Sequence, residues 1–184
     1  MAKIRTFIAV NLPQEIKTQI GESLEKIKKK IKGEIKWVKA DNFHFTFHFL
    51  GYLDEERLEK VRKILSETVK NVHVVKIKIT GFSVFPNPRQ PRVLFLKGRE
   101  EGTVLADLQK DIGKKLKQIN LEIDYRPWQM HLTFGRVRNK IIFPQLILKE
   151  NLKFEFEVSS IDLMKSDLRI TGPIYTVLNS YPLK

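Results

Sequence analysis

The chain has no cysteine, which excludes disulfides, thiolate metal sites and a cysteine nucleophile while saying little about compartment. No apolar run approaches the roughly 18 residues that span a bilayer, and Met1 to Leu12 patterns as a strand rather than as a charged segment followed by a long apolar one. A cytoplasmic protein without a membrane partner is the expectation. No His-Glu-x-x-His or comparable ligand spacing occurs, and no Ser sits in a Gly-x-Ser-x-Gly turn, so neither a bound metal nor a Ser-His-Asp triad has support and no cofactor is expected. Acidic residues are scarce: 21 Asp and Glu stand against 34 Lys and Arg, a net charge of +13. A field of that sign favours an anionic partner, nucleic acid ahead of a membrane surface, although a merely basic, solvated surface has the same composition.

What is present is a packed protein. With 184 residues, 42% hydrophobic and 30% charged, the chain is long enough to bury one sizeable core as a single domain of mixed α and β structure. Lys-rich helices with many Glu and no Cys also fit a thermophile.

The most informative stretch is Asn42-Phe43-His44-Phe45-Thr46-Phe47-His48-Phe49-Leu50-Gly51, and it has a partner in Met130-His131-Leu132-Thr133-Phe134-Gly135-Arg136. Each contains His-x-Thr followed by a hydrophobic residue. Alternate residues of a strand share a face, so His44, Thr46 and His48 are expected on one side and Phe43, Phe45, Phe47 and Phe49 on the core side. In the second copy His131 and Thr133 oppose Leu132 and Phe134.

In order, the pattern predicts a strand over residues 3–12, a helix opening at Pro13 with Ile16, Ile20, Leu24, Ile27 and Ile31 inward and ending at Gly33, and a short strand over 34–38. The first motif strand follows, stopped by Gly51, and Asp54 opens a second helix. A strand over 72–85, with an irregularity near Val75, leads to Pro86-Asn87-Pro88-Arg89-Gln90-Pro91, the expected crossing between two halves. Then come a strand from Arg92 to Leu96, a third helix through Leu105, Leu108, Ile112, Leu116 and Ile119, strands over 121–125 and 129–137, a loop over 138–151, and two final strands. In each half the motif histidine follows a helix end by about 13 residues, which predicts a duplication: one domain over 1–184 made of two pseudo-symmetric lobes.

Four histidines are available. His73 reads as a surface residue. His48 lies about 13 Å along the strand from His44, too far for one proton relay. His44 and His131, repeated with a Thr at the same offset, suit general acid and base catalysis, since imidazole titrates near neutrality. In-line displacement at phosphorus needs one group to take a proton from the attacking oxygen and another to give one to the departing oxygen. Thr46 and Thr133 can donate to the non-bridging oxygens. Arg136 has the wrong strand parity and joins them only if the strand bulges near Gly135.

These residues resemble the 2H phosphoesterase superfamily, and within it the 2′-5′ RNA ligase or RNA 2′,3′-cyclic phosphodiesterase branch. The resemblance rests on both motifs, on Trp37-Val38, and on supporting stretches such as Arg5-Thr6-Phe7-Ile8-Ala9, Pro91-Arg92-Val93-Leu94-Phe95 and Gly172-Pro173-Ile174-Tyr175. It implies a bilobal, duplicated α+β fold whose two antiparallel sheets line a central cleft with helices packed outside. It also implies metal-free opening of a 2′,3′-cyclic phosphate RNA end to a 2′-phosphate, with joining to a 5′-hydroxyl as the reverse chemistry. His44 is read as proton donor and His131 as proton acceptor, though nothing in the sequence separates the roles; Thr46, Thr133 and Arg136 hold the phosphate. The implied partner is RNA with a cyclic phosphate end, tRNA fragments among the candidates, acted on by a monomer. Phe7, Tyr125, Trp128 and Tyr175 are candidates for stacking on bases. A module that binds RNA ends or nucleotides without turnover is the alternative.

Overall fold

The computed structural model describes residues 3–124, 126–141, 143–150, 152–170 and 172–184. Its strands and helices, in order, are β1 (Ile4–Asn11), α1 (Gln14–Lys30), β2 (Ile35–Trp37), β3 (His44–Leu53), α2 (Glu55–Val69), β4 (Val75–Phe85), β5 (Val93–Glu100), α3 (Val104–Gln118), β6 (His131–Val137), β7 (Phe154–Val158), β8 (Ser160–Arg169) and β9 (Gly172–Pro182). Short 3₁₀ turns occupy Ala40–Asn42 and Gln145–Lys149.

The helices form where the sequence places their apolar stripes. Ile20, Leu24 and Ile27 of α1, Leu58, Val61, Leu65 and Val69 of α2, and Leu105, Leu108, Ile112 and Leu116 of α3 are all buried. Asp54 caps α2 by accepting from the Arg57 amide at 3.0 Å. The Glu100 carboxylate does the same for α3, taking the amides of Leu105 and Ala106 at 2.8 and 3.0 Å. Pro13 stands just outside α1, where its fixed φ leads into the first turn.

The strands run in the order β7-β4-β5-β6-β3-β1-β8-β9, with β2 added against β6. Two antiparallel groups, β1-β3-β8-β9 and β2-β4-β5-β6-β7, meet at one registered pair, Phe45 with Leu132. The two expected sheets are thus hydrogen-bonded into one continuous nine-stranded sheet. That sheet must curl. In a flat sheet six spacings of about 4.8 Å would hold β7 and β8 roughly 29 Å apart, yet only Ser159 joins them, and one residue spans at most about 7 Å. Curling brings the far ends together, where Leu183 donates to Ser159 O at 2.9 Å. The main core, with Phe43, Phe45, Phe47, Phe82 and Phe134, lies between sheet and helices; Phe7, Ala9 and Met164 form a separate small cluster.

Several expectations change. The 86–91 segment links β4 to β5, which pair directly, so it is a hairpin within one half rather than the crossing. The chain passes between halves elsewhere, for instance through Ser159. Gly51 does not stop β3: it sits inside the strand at φ 72°, beside a bulge that leaves Leu50 without a partner on β1. The irregularity in β4 falls at Thr80 rather than near Val75. Residues 121–124 form no strand, and Tyr125 lies outside the described residues. The segment 138–151 includes a 3₁₀ turn, and the last two strands are three, because the chain changes sheet partner at Ser159.

Phe45 and Leu132 are 1% and 0% exposed, so the contact joining the halves is sealed by side chains. Leu132→Ala should lower stability by about 2–5 kcal/mol in a chemical denaturation series. A loss below about 1 kcal/mol would mean that this contact is not part of the cooperative core.

Candidate active site

The Phe45–Leu132 pair sets the register of the two motifs. Antiparallel partners move in opposite directions, so on either side of that pair His44 stands toward Thr133 and Thr46 toward His131, a local two-fold arrangement. All four side chains are half-buried. They share the face away from the main core, to which Phe45 and Leu132 contribute.

The two histidines are held alike. His44 Nδ1 lies 2.7 Å from Asn42 O, and His131 Nδ1 lies 2.7 Å from Gln129 O. A carbonyl only accepts, so each Nδ1 carries the hydrogen and each neutral ring presents Nε2 as a free base. His44 Nε2 accepts from Thr46 Oγ1 at 3.0 Å. Aromatic rings fix both imidazoles: Phe7 and Tyr175 stand 5.0 and 5.2 Å from His44, Phe85 and Phe95 5.3 and 5.5 Å from His131, centroid to centroid.

A bulge follows each Thr. Ile8 pairs with His48 and Ala9 with Thr46, leaving Phe47 as the extra residue on β3; Leu94 pairs with Gly135 and Phe95 with Thr133, leaving Phe134 extra on β6. Both are the hydrophobic residue of His-x-Thr-hydrophobic. A bulge frees backbone groups, and here each freed carbonyl finds a donor. Trp128 Nε1 donates to Thr46 O at 2.8 Å, Gln109 Nε2 to Phe47 O at 3.3 Å, and the Val38 amide to Phe134 O at 2.9 Å.

The bulges also swap the faces beyond them. Arg136 pairs with Val93, two residues from Phe95 on the face beside His131, and so turns toward the cleft, as the conditional reading required, although the extra residue is Phe134 rather than Gly135. Its charge is felt by His44, His131 and Tyr175. On β3 the swap corrects the expected alternation. His48 turns into the core, 4% exposed, with Nε2 2.8 Å from Gln109 O, while Phe49 turns outward, 56% exposed, beside Phe7.

Burial pushes the His44 pKa down to about 4, opposed by the Asn42 carbonyl and helped by the charges of Lys17, His131 and Arg136. His131 is lowered too, by burial first and then Arg136. Among the described residues no three His, Cys, Asp or Glu side chains gather into a metal-binding group. Of the stacking candidates, Phe7 is buried, Trp128 holds the bulge carbonyl, Tyr125 lies outside the described residues, and Tyr175 remains half-exposed against His44. Lys17, Gln109 and Phe49 were not singled out by the sequence; only the bulges and a helix face bring them here.

The chain is similar to several known proteins. A family model described as LigT-like phosphoesterase matches residues 10–95. An RNA 2′,3′-cyclic phosphodiesterase of Methanothermobacter thermautotrophicus is 32% identical over 98% of this chain and 100% of its own. One from Methanocaldococcus jannaschii is 34% identical over 97% and 100%. A crystal structure of a Thermus thermophilus protein superposes with a TM-score of 0.80 at 25% identity, covering 98% of each chain. No helix is long and apolar enough to cross a membrane among the described residues.

An unfolded histidine binds its proton near pH 6.5, whereas His44 in the fold does so only at about 4. Between those values the unfolded chain holds more protons, so stability falls as pH falls through this window and is fully present above it. His48 and His131 are displaced in the same direction. The denaturation midpoint should be nearly level above pH 7 and drop from pH 6.5 to 4, and His44→Gln should flatten that drop. An unchanged drop in the variant would assign it to other groups.

Proposed function

Because the chain belongs to the LigT-like phosphoesterases of the 2H superfamily, we propose that it is a metal-independent RNA 2′,3′-cyclic phosphodiesterase. The observation that carries the reading is the duplicated lock: two histidines held at Nδ1 by a carbonyl two residues earlier, each with a Thr hydroxyl on the same face, set across one strand pair. Its relatives' names supply the substrate class.

In the proposed reaction the cyclic phosphate sits between the motifs. Water attacks phosphorus, His131 Nε2 takes the proton of that water, the bond to O3′ breaks, and His44 Nε2–H protonates the departing oxygen, leaving a 2′-phosphate. Thr46 and Thr133 donate to the non-bridging oxygens, and Arg136 stabilises the charge that grows there. A 5′-hydroxyl in place of water would give a 2′-5′ linkage with the same two proton transfers, which makes RNA joining a second outcome of one site. RNA ends, tRNA fragments among them, are the proposed substrates of a monomer.

The donor role asks something of His44. Its pKa of about 4 in the free cleft leaves it neutral near pH 7. A bound phosphate brings negative charge to a place now surrounded by Lys17, Arg136 and His131, and so raises it. Imidazole resonances followed by NMR should show His44 titrating at higher pH when inorganic phosphate or a 2′-mononucleotide is added. If it stays at about 4 in the complex, the donor is His131 and the roles are exchanged.

Activity is tested on an oligonucleotide ending in a 2′,3′-cyclic phosphate, with EDTA present. Wild type should open the ring, and His44→Ala and His131→Ala should each lose about 10²–10⁴-fold in rate. An intact cyclic end with wild type would leave the RNA-end-binding module as the reading; activity abolished by EDTA would remove the metal-free mechanism. The profile of kcat/KM against pH should be bell-shaped, and RNA affinity should fall steeply with salt, as expected of a chain carrying +13.

A further inference from the structure

An RNA that ends in a 2′,3′-cyclic phosphate continues on one side only, from O5′ of its terminal nucleoside. The surface beside the motifs therefore decides whether the rest of the strand is held. Two routes lead away over the outer face of the sheet. On the His44 side the cations are engaged: Lys17 donates to Asp41 O and Arg5 to Ser166 Oγ, each at 2.9 Å, while Phe7, Ala9 and Met164 form an apolar cluster against Tyr175.

The His131 side differs. Lys97 of β5 is the registered partner of His131 on β6. One residue beyond each, the Gly98 amide donates to Met130 O at 2.9 Å. Lys97 and His131 are therefore a pair with no hydrogen bond between them, the closer kind, with Cα atoms about 4.5 Å apart. Residues directly opposite share a face, so Lys97 stands on the outer face beside the histidine. Gly98 turns the other way, toward Met130 and Phe45, and Arg99 turns outward again.

Both side chains are exposed, and neither makes a hydrogen bond or an ion pair among the described residues. Across β4, Lys97 faces Gly81 and Arg99 faces Lys78, so no acid stands opposite either. The cations nearer the sheet edge are balanced. Lys78 binds Glu101 at 2.7 Å and lies 3.8 Å from Glu155, and Lys76 stands opposite Glu157. Acids thus bound the basic surface at β7 and leave Lys97 and Arg99 as its uncompensated part. Along the strand these two positions are about 6.6 Å apart, of the same order as neighbouring phosphates in an extended single strand.

We propose that Lys97 and Arg99 form a phosphate track for the RNA on the 5′ side of the cyclic end, so that the site takes oligonucleotide ends in preference to 2′,3′-cyclic mononucleotides. The proposal rests on the phosphodiesterase reading for what lies between the motifs. Lysine and arginine here act on phosphates and carry no base preference, as expected of contacts that position a strand rather than read it.

The test measures kcat/KM for a trinucleotide ending in a 2′,3′-cyclic phosphate, which has two internal phosphates, and for a 2′,3′-cyclic mononucleotide. Wild type should favour the trinucleotide. Lys97→Gln and Arg99→Gln should each lower the ratio of the two values about threefold to fivefold, the effect of one exposed charge pair, and the loss should fall on KM. Binding of the trinucleotide 2′-phosphate product, followed against salt, should lose about 0.7 from its log–log slope for each residue replaced. Lys114→Gln, an exposed position on α3, removes the same charge away from the track and should leave the ratio as it was. Both track residues are exposed on the strand, so the variants keep the buried core. A wild type that treats the two substrates alike overturns the track. So does an equal loss on both substrates, which would make Lys97 and Arg99 part of the general field at His131, or an equal fall of the ratio in Lys114→Gln, which would assign the preference to net charge. If wild type opens neither substrate, the phosphodiesterase reading falls and the proposal falls with it, an outcome visible without any variant.

Discussion

One backbone pairing, Phe45 against Leu132, holds the site together. It joins two groups of strands that otherwise make their hydrogen bonds among themselves, and it fixes which motif residue stands toward which. Because side chains alternate, a slip of one residue would turn either His and Thr pair into the core and expose the phenylalanines. The burial of Phe45 and Leu132 prevents that slip, so the apolar half of each motif positions its polar half. In both copies here the residue between His and Thr is hydrophobic and buried.

The paired bulges are the second constraint. Each places an extra residue after the Thr, and each leaves carbonyls satisfied by groups from distant parts of the chain: Trp128 and Gln109 for one, Val38 for the other. Beyond the bulge the two copies stop being alike. The corresponding positions are Phe49 and Arg136, both five residues after the motif histidine, so one side of the cleft gains an exposed ring and the other a cation. A symmetric frame thus carries an asymmetric cleft. A phosphate with a nucleoside on one side is asymmetric in the same sense.

Electrostatics completes the picture. Burial first, and then the charges of Lys17, His131 and Arg136, depress the pKa of His44, with no anion among the groups that shift it. Low dielectric sharpens both repulsion in the free cleft and attraction to a bound phosphate. A site that is uncomfortable for protons when empty is suited to take them up together with an anion.

Much of this was legible in the chain. The helices followed from spacing, since Leu58, Val61, Leu65 and Val69 bury one stripe wherever the helix docks. His44, Thr46, His131 and Thr133 stood out because a repeated pattern needs no tertiary knowledge to be seen. The place of His48 and Phe49 was misread, because alternation assumes an unbroken strand and nothing local marks Phe47 as the bulge. Arg136 was legible only as a condition. The hairpin at 86–91 looked like a crossing because three prolines forbid regular structure without saying what they connect. The sequence by itself determined which residues carry the chemistry and which stripes are buried, since both are local properties of residue type and period. Only the tertiary structure decided which strands are neighbours and where the bulges fall. Strand pairing and bulge position are settled by burying both halves of the core at once, a balance that no single stretch of chain contains.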